Sequence, residues 1–210
     1  MSTSPPESAK FNMIEQQVRP WEVLDTQVLA ALSSLERAHF VPETYRGLAY
    51  ADCQIRLDSG LYMLPPNIEG RMLQALLIKP EDNVLELGCT CGYLTACLAR
   101  LAGQVTSLAA SESTVEIANR NIAPFGFSNI KIKQGSFLDL ADDQSFDVIA
   151  VTASLPQLPD HLQHALTVGG RMFVVVGEAP AMQALLITRV GDSEWTRQSL
   201  FETVLPRLGG

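Results

Sequence analysis

From residue 84 onward the chain alternates short, β-rich apolar runs with helical stretches, and that alternation leaves few folds open. Residues 84–87, 104–109, 130–134, 146–150 and 171–176 read as strands, with Val151-Thr-Ala running on beyond the fourth. Residues 92–101, 112–123 and 158–166 carry apolar side chains at helical spacing. Gly169-Gly170 makes a turn, and the segments near 183–190 and 195–204 read as closing strands. Strands that alternate with helices pair in parallel, because each crossover lays a helix on the sheet and covers a face. The pattern predicts an α/β fold with a mostly parallel twisted sheet, helices on both faces and antiparallel closing strands.

The front of the chain is different. Residues 1–10 are polar and rich in Pro and Ser, which predicts a mobile tail. Residues 11–46 have a helical pattern, with Asp25 as an N-cap and Val28, Leu29, Leu32 and Leu35 on one face. Residues 51–66 read as irregular, broken by Gly60, Pro65 and Pro66, and Asn67 can cap a helix over 68–78. A single domain over 11–210 results, with a helical front at 11–78 and an alternating body at 79–210.

Composition removes several function classes. A formal net charge of -8 argues against broad binding to nucleic acid or anionic membrane. No apolar run is long enough to span a bilayer and the start lacks a signal pattern, so a cytoplasmic location is expected. The cysteines, Cys53, Cys89, Cys91 and Cys97, are not spaced as a disulfide framework. Cys89 and Cys91 would need two further ligands to hold a metal, so core packing is the better reading and no metal is expected. His161 and His164 share a helix face that reads as solvated. Arg19-Pro-Trp21 reads equally as a partner contact or as a segment packed on the sheet.

The chemistry concentrates at Asn83-Val-Leu-Glu-Leu-Gly-Cys-Thr-Cys-Gly-Tyr93, a buried strand running into a glycine-bearing loop and a helix. Such a turn brings backbone N–H groups and a helix N-terminus to a nucleotide-like ligand. The stretch from Glu86 to Tyr93 resembles the first motif of class I S-adenosylmethionine-dependent methyltransferases. Other runs make the likeness narrower: Met13-Ile-Glu-Gln-Gln-Val-Arg, Phe40-Val-Pro-Glu-Thr-Tyr-Arg-Gly-Leu-Ala-Tyr-Ala-Asp, Phe146-Asp-Val-Ile-Ala-Val-Thr-Ala and Gly169-Gly-Arg. Over residues 11–190 the chain is similar to protein-L-isoaspartate O-methyltransferases. The resemblance implies a Rossmann-like class I methyltransferase fold and a methyl-donor site at the C-terminal edge of the sheet. It also implies a substrate cleft roofed by the 51–66 loop, and carboxyl methylation of abnormal aspartyl residues.

The same resemblance marks the site positions. It points to Glu86, Gly88, Thr90, Gly92, Ala109, Gly135 and Ser136 for the cofactor, and to Tyr62 and Leu64 in the substrate loop. The family's glycine loop usually reads Gly-Thr-Gly-Ser-Gly; here it is Gly88-Cys-Thr-Cys-Gly92, with Thr90 in the middle. A β-branched residue there costs ~1–3 kcal/mol if the backbone is strained. The family's ribose-binding acid falls at Ala109 in Val105-Thr-Ser-Leu-Ala-Ala-Ser, and its Gly-Asp-Gly acid falls at Ser136 in Gly135-Ser136-Phe137. Each lost charge-assisted hydrogen bond costs ~1.5–3 kcal/mol, against ~8 kcal/mol for a micromolar ligand. Glu86 is either a retained cofactor contact or an acceptor for nearby backbone N–H groups that holds the loop. In Gly60-Leu-Tyr-Met-Leu-Pro-Pro-Asn67, Tyr62 and Leu64 fall where the family carries small hydroxyl residues that contact the reacting carboxylate. Weakened or lost S-adenosylmethionine binding is therefore expected, with a non-catalytic or repurposed role and a protein or peptide as partner. The alternative is an active carboxyl methyltransferase. The residues after Phe201-Glu-Thr-Val-Leu-Pro leave room for only a short cover on the cleft.

Overall fold

The structure, a computed structural model, describes residues 5–141 and 144–209. Met1 to Ser4, part of the expected mobile tail, lie outside the described residues. Helix α1 (Pro5–Asn12) runs straight into a wider π turn at Met13–Val18, which buries Met13, Ile14 and Val18. Arg19–Trp21 closes this run as a 3-10 turn, and Glu22 leaves it with φ 61°. Helix α2 (Thr26–Ser34) follows, and Asp25 caps it as expected: its carboxylate accepts from the N–H groups of Gln27 and Val28. The helical front is thus broken rather than continuous, and the later turns at Arg37–Phe40 and Glu43–Leu48 are also 3-10. Pro20 and Pro42 lack the N–H that a continuous helix requires.

The segment read as irregular contains a small hairpin, β1 (Ile55–Arg56) against β2 (Tyr62–Met63). Helix α3 (Pro66–Leu76) begins earlier than the sequence implied. Pro66 sits at its first position, where the missing N–H costs nothing, and Pro65 is the flanking residue. Asn67 therefore lies inside the first turn rather than at the cap. Its Oδ1 accepts from Ile68 N–H and its Nδ2 donates to Asp52.

The body is β3 (Asn83–Cys89), α4 (Tyr93–Leu101), β4 (Gln104–Ala109), α5 (Glu112–Ile122), β5 (Ile130–Gln134), β6 (Phe146–Leu155), α6 (Asp160–His164), β7 (Leu166–Glu178), β8 (Ala181–Gly191) and β9 (Glu194–Glu202). The sheet order is β5-β4-β3-β6-β7-β8-β9. Pairs from β5 to β7 are parallel, and β8 and β9 close the sheet antiparallel. Alternation along β3 supplies two cores. Val84 joins the apolar cluster under α2, α3 and α4, while Leu85 and Leu87 join the one on the opposite face. Helix α6 is shorter than expected, because Leu166 already belongs to β7, where it pairs with Phe146 of β6. The anticipated turn at Gly169-Gly170 is instead an irregularity within β7. A Cβ on Gly170 would come within 3.1 Å of the carbonyl oxygens of Phe146 and Asp147, so only glycine lets the strands close there. Among the described residues no helix is long and apolar enough to cross a membrane.

Candidate functional site

The chain leaves β3 toward β4 on one side and later returns to β6 on the other. In open α/β sheets such a reversal opens a crevice at the C-terminal strand ends. A cavity of about 220 Å³ lies there. Leu87, Gly88 and Thr90 of the central strand and loop line it, with Leu108 of β4 and Ala110 just after it. Gly135, Ser136 and Phe137 beyond β5 add a wall, and Leu61, Tyr62 and Leu64 of the hairpin segment add another. Tyr62, Leu64, Gly88, Thr90, Gly135 and Ser136 are therefore brought together.

Glu86, Gly92 and Ala109 do not line this cavity. Ala109 is fully buried beside Cys89, Val115 and Ala118, and its neighbour Ala110 faces the cavity instead. Gly92 has φ 87°, and a Cβ there would lie 2.9 Å from Ile122 Cδ1 and 3.1 Å from the Ala118 carbonyl. Its glycine character serves the seating of α4 on α5. Glu86 and Gly92 instead border an adjoining cleft of about 10 Å³.

Glu86 is 2% exposed. Its Oε2 accepts from Thr95 Oγ1 at 2.5 Å and from Ser107 Oγ at 2.6 Å. These partners are hydroxyls on α4 and β4, not the loop N–H groups the sequence suggested. Burial pushes the Glu86 carboxyl above its ordinary range, and the two hydroxyls only partly oppose this.

The loop itself is unstrained at Thr90, because the only non-glycine residues with positive φ among those described are Glu22 and Leu77. The strain penalty anticipated for Thr90 does not arise. What Thr90 adds is a side chain on the cavity wall. Gly88, with φ 96°, is different: a Cβ on it would lie 2.6 Å from Thr152 Oγ1 and 2.8 Å from Leu208 Cδ1. Thr152 pins the loop by donating to the carbonyls of Leu87 and Gly88, at 3.0 and 2.7 Å.

The substrate-loop positions are held from below. Arg37, with no exposed surface, donates from Nε to the Ala49 carbonyl at 2.7 Å and from Nη2 to the Leu64 carbonyl at 2.5 Å. Its Nη1 pairs with Glu69, and its guanidinium lies 4.7 Å over the Tyr93 ring. Burial raises the Glu69 carboxyl, while Arg37 opposes the rise. Tyr62 is 40% exposed at the cavity mouth, whereas Leu64 is buried. Ser136 caps the turn Phe137–Asp139. Its Oγ accepts from Leu138 N–H, and its own N–H donates to Asp139 Oδ2, both at 3.2 Å.

Sequence reasoning did not single out Ala110, Phe137, Thr152 or the strap at residues 205–208. The strap docks on the end of β6 through two backbone hydrogen bonds: Ser154 N–H to the Pro206 carbonyl (2.8 Å) and Leu208 N–H to the Ser154 carbonyl (2.9 Å). Ser154 Oγ also donates to the Leu205 carbonyl at 3.0 Å. Thr152, Ala110 and Phe137 each fall within runs that the motif comparison marks, but nothing in those runs shows which side chains face the cavity. The strap's partner lies some fifty positions away, beyond the reach of any local pattern.

The remaining side chains fall into structural places. His161 stacks on Phe137 and contacts its carbonyl, and His164 packs against Trp195, so the two are ring-packed rather than simply solvated. Trp21 meets Phe201 edge-on. Cys89, Cys91 and Cys97 are buried and Cys53 is half-buried; all four are free thiols. Burial pushes the Cys91 thiol up to about 11, and Cys89 and Cys97 also lie above the usual thiol range. No group of three or more His, Cys, Asp or Glu able to hold a metal occurs among the described residues.

Comparison with known proteins is consistent along the whole chain. The sequence profile of the protein-L-isoaspartate(D-aspartate) O-methyltransferase family matches residues 8–205. A protein named protein-L-isoaspartate O-methyltransferase from Koribacter versatilis is 38% identical over 181 residues, covering 86% of this chain and 81% of that protein. One of the same name from Rhodopseudomonas palustris is 32% identical over 200 residues, covering 94% and 92%. A Plasmodium falciparum crystal structure described as a protein-L-isoaspartate O-methyltransferase, in complex with S-adenosyl-L-homocysteine, superposes with a TM-score of 0.83 over 99% of each chain at 20% identity. At that identity the superposition establishes the fold.

Proposed function

This chain belongs to the protein-L-isoaspartate O-methyltransferase family, and we propose that it is a member whose donor site has become a small apolar pocket. On this reading S-adenosylmethionine binding is weakened or absent, and the pocket or its rim serves binding rather than repair catalysis. The observation that carries the proposal is the cavity lining: among the described residues, no Asp or Glu is part of it. A sulfonium nucleoside needs acceptors for its ribose hydroxyls and a favourable field for its positive charge. Two acids close to the lining in sequence are committed elsewhere, Glu86 to Thr95 and Ser107 and Asp139 to the Ser136 N–H. The cavity, at about 220 Å³, is also below the roughly 300 Å³ at which small-molecule sites usually begin. The residues present therefore do not fit the donor. For a replacement occupant of the rim, a protein or peptide segment is the class proposed, since the net charge of -8 disfavours nucleic acid and anionic lipid.

A second reading, an active carboxyl methyltransferase, draws on the names of relatives that match nearly the full chain. Titration calorimetry with S-adenosylmethionine and with S-adenosylhomocysteine separates the two. The proposal expects no heat attributable to binding at micromolar ligand. A micromolar Kd for either would overturn it, and methylation of an isoaspartyl peptide would establish the second reading. The double variant Thr90→Gly, Ser136→Asp changes two residues that do line the cavity and is expected to gain affinity.

A further inference from the structure

A glycine at positive φ in a ligand loop leaves its backbone bare, so that something can approach closely. At Gly88 that approach has already been made by the protein itself. Leu208 Cδ1 lies where it would be 2.8 Å from a Cβ on Gly88, and the same leucine lines the cavity together with Pro206. We propose that Leu208 is the residue that sets what this pocket accepts. It takes the place on Gly88 that a ligand would otherwise occupy, and the strap carrying it must swing away for a larger ligand to enter.

The strap is built for that movement. Its attachment is short: two backbone hydrogen bonds to Ser154, the Ser154 hydroxyl, and Gln54 Nε2 on the Val204 carbonyl. Leu205 and Leu208 face inward, while Val204, Pro206, Arg207 and Gly209 are exposed. The Arg207–Glu178 pair, at 3.5 Å between largely exposed side chains, adds little in water. Leu205 is seated in the core and anchors the strap, so it is the end beyond it, carrying the half-buried Leu208 on a handful of hydrogen bonds, that opens more easily than the sheet beneath. The inference concerns access to the pocket and holds whichever ligand the pocket takes.

The test uses anilinonaphthalene sulfonate, a fluorescent probe with an apolar ring system and an anionic sulfonate, on the full chain. If the strap is closed nine-tenths of the time, removing its plug relieves a roughly tenfold reduction in apparent affinity. Leu208→Ala is therefore expected to bind the probe about tenfold more tightly than wild type. Ser154→Ala, which releases the hydroxyl tie without altering the cavity wall, is expected to shift in the same direction by less. In wild type, saturating probe is expected to speed hydrogen exchange at the Leu208 amide. Unchanged or weaker probe binding by Leu208→Ala overturns the proposal. Should that variant misfold, unaltered exchange at the wild-type Leu208 amide does so alone. S-adenosylhomocysteine is titrated into wild type in parallel. Its binding would overturn the reading of the donor site without bearing on whether Leu208 limits the probe.

Discussion

Glu86 is the residue whose position is legible in the sequence and whose role is not. Its place on β3, just before the glycine loop, follows from the motif. That it faces Thr95 and Ser107 instead of the cavity depends on how α4 and β4 pack around it. Its carboxyl is held above the ordinary 4.5 by burial. Between that value and its raised folded value, the folded protein binds more protons than the unfolded chain. By linkage, stability then falls as pH rises through this window. Glu69 shifts in the same direction and adds to the slope. Glu86→Gln is expected to keep both hydroxyl contacts and to flatten the fall in Tm as pH rises above the ordinary carboxyl value of 4.5. Thermal melts across that range check it, and a variant slope equal to wild type would show that Glu86 is not a source of the pH dependence. Gly92 teaches the same lesson, because both loop glycines look alike in sequence. Only Gly88 faces the cavity, while Gly92 is fixed by α5.

At the scale of elements, α3 and the 60–64 segment are joined to the helical front through Arg37. One guanidinium ties together the Ala49 carbonyl, the Leu64 carbonyl and Glu69, with Tyr93 of α4 beneath it. Removing one partner of a buried pair leaves the other charge uncompensated. Arg37→Ala is expected to lose roughly 3–5 kcal/mol in urea unfolding. Arg37→Met with Glu69→Leu is expected to lose less than the single alanine variant, because the pair is removed together. A loss for Arg37→Ala within about 0.5 kcal/mol, the range of ordinary surface changes, would contradict this account. The α2 cap was legible because Asp25 acts within three residues. The start of α3 was missed because Pro66 takes its first position, which moves Asn67 from the cap into the first turn. The β1–β2 hairpin, two residues per strand, is too short for any alternation to register.

At the scale of the whole molecule, three of the four cysteines sit in the two-faced core around β3 and α4, and only Cys53 has a partly open surface. Core groups become reactive only when the fold opens globally. Iodoacetamide under native conditions is expected to modify Cys53 first, with Cys89, Cys91 and Cys97 following only in denaturant, as intact-mass spectrometry would count. Native labelling of Cys91 at the rate of Cys53 would show that the loop opens locally. The sequence by itself determined the parallel α/β sheet, the antiparallel closing strands and the family, because periodicity and glycine placement act over a few residues. Only the tertiary structure decided which marked positions share a cavity, that Glu86 and Ala109 turn away from it, and that Leu208 closes over Gly88. Those facts depend on side chains dozens of residues apart meeting at one sheet edge, where packing, not local pattern, sets the contact.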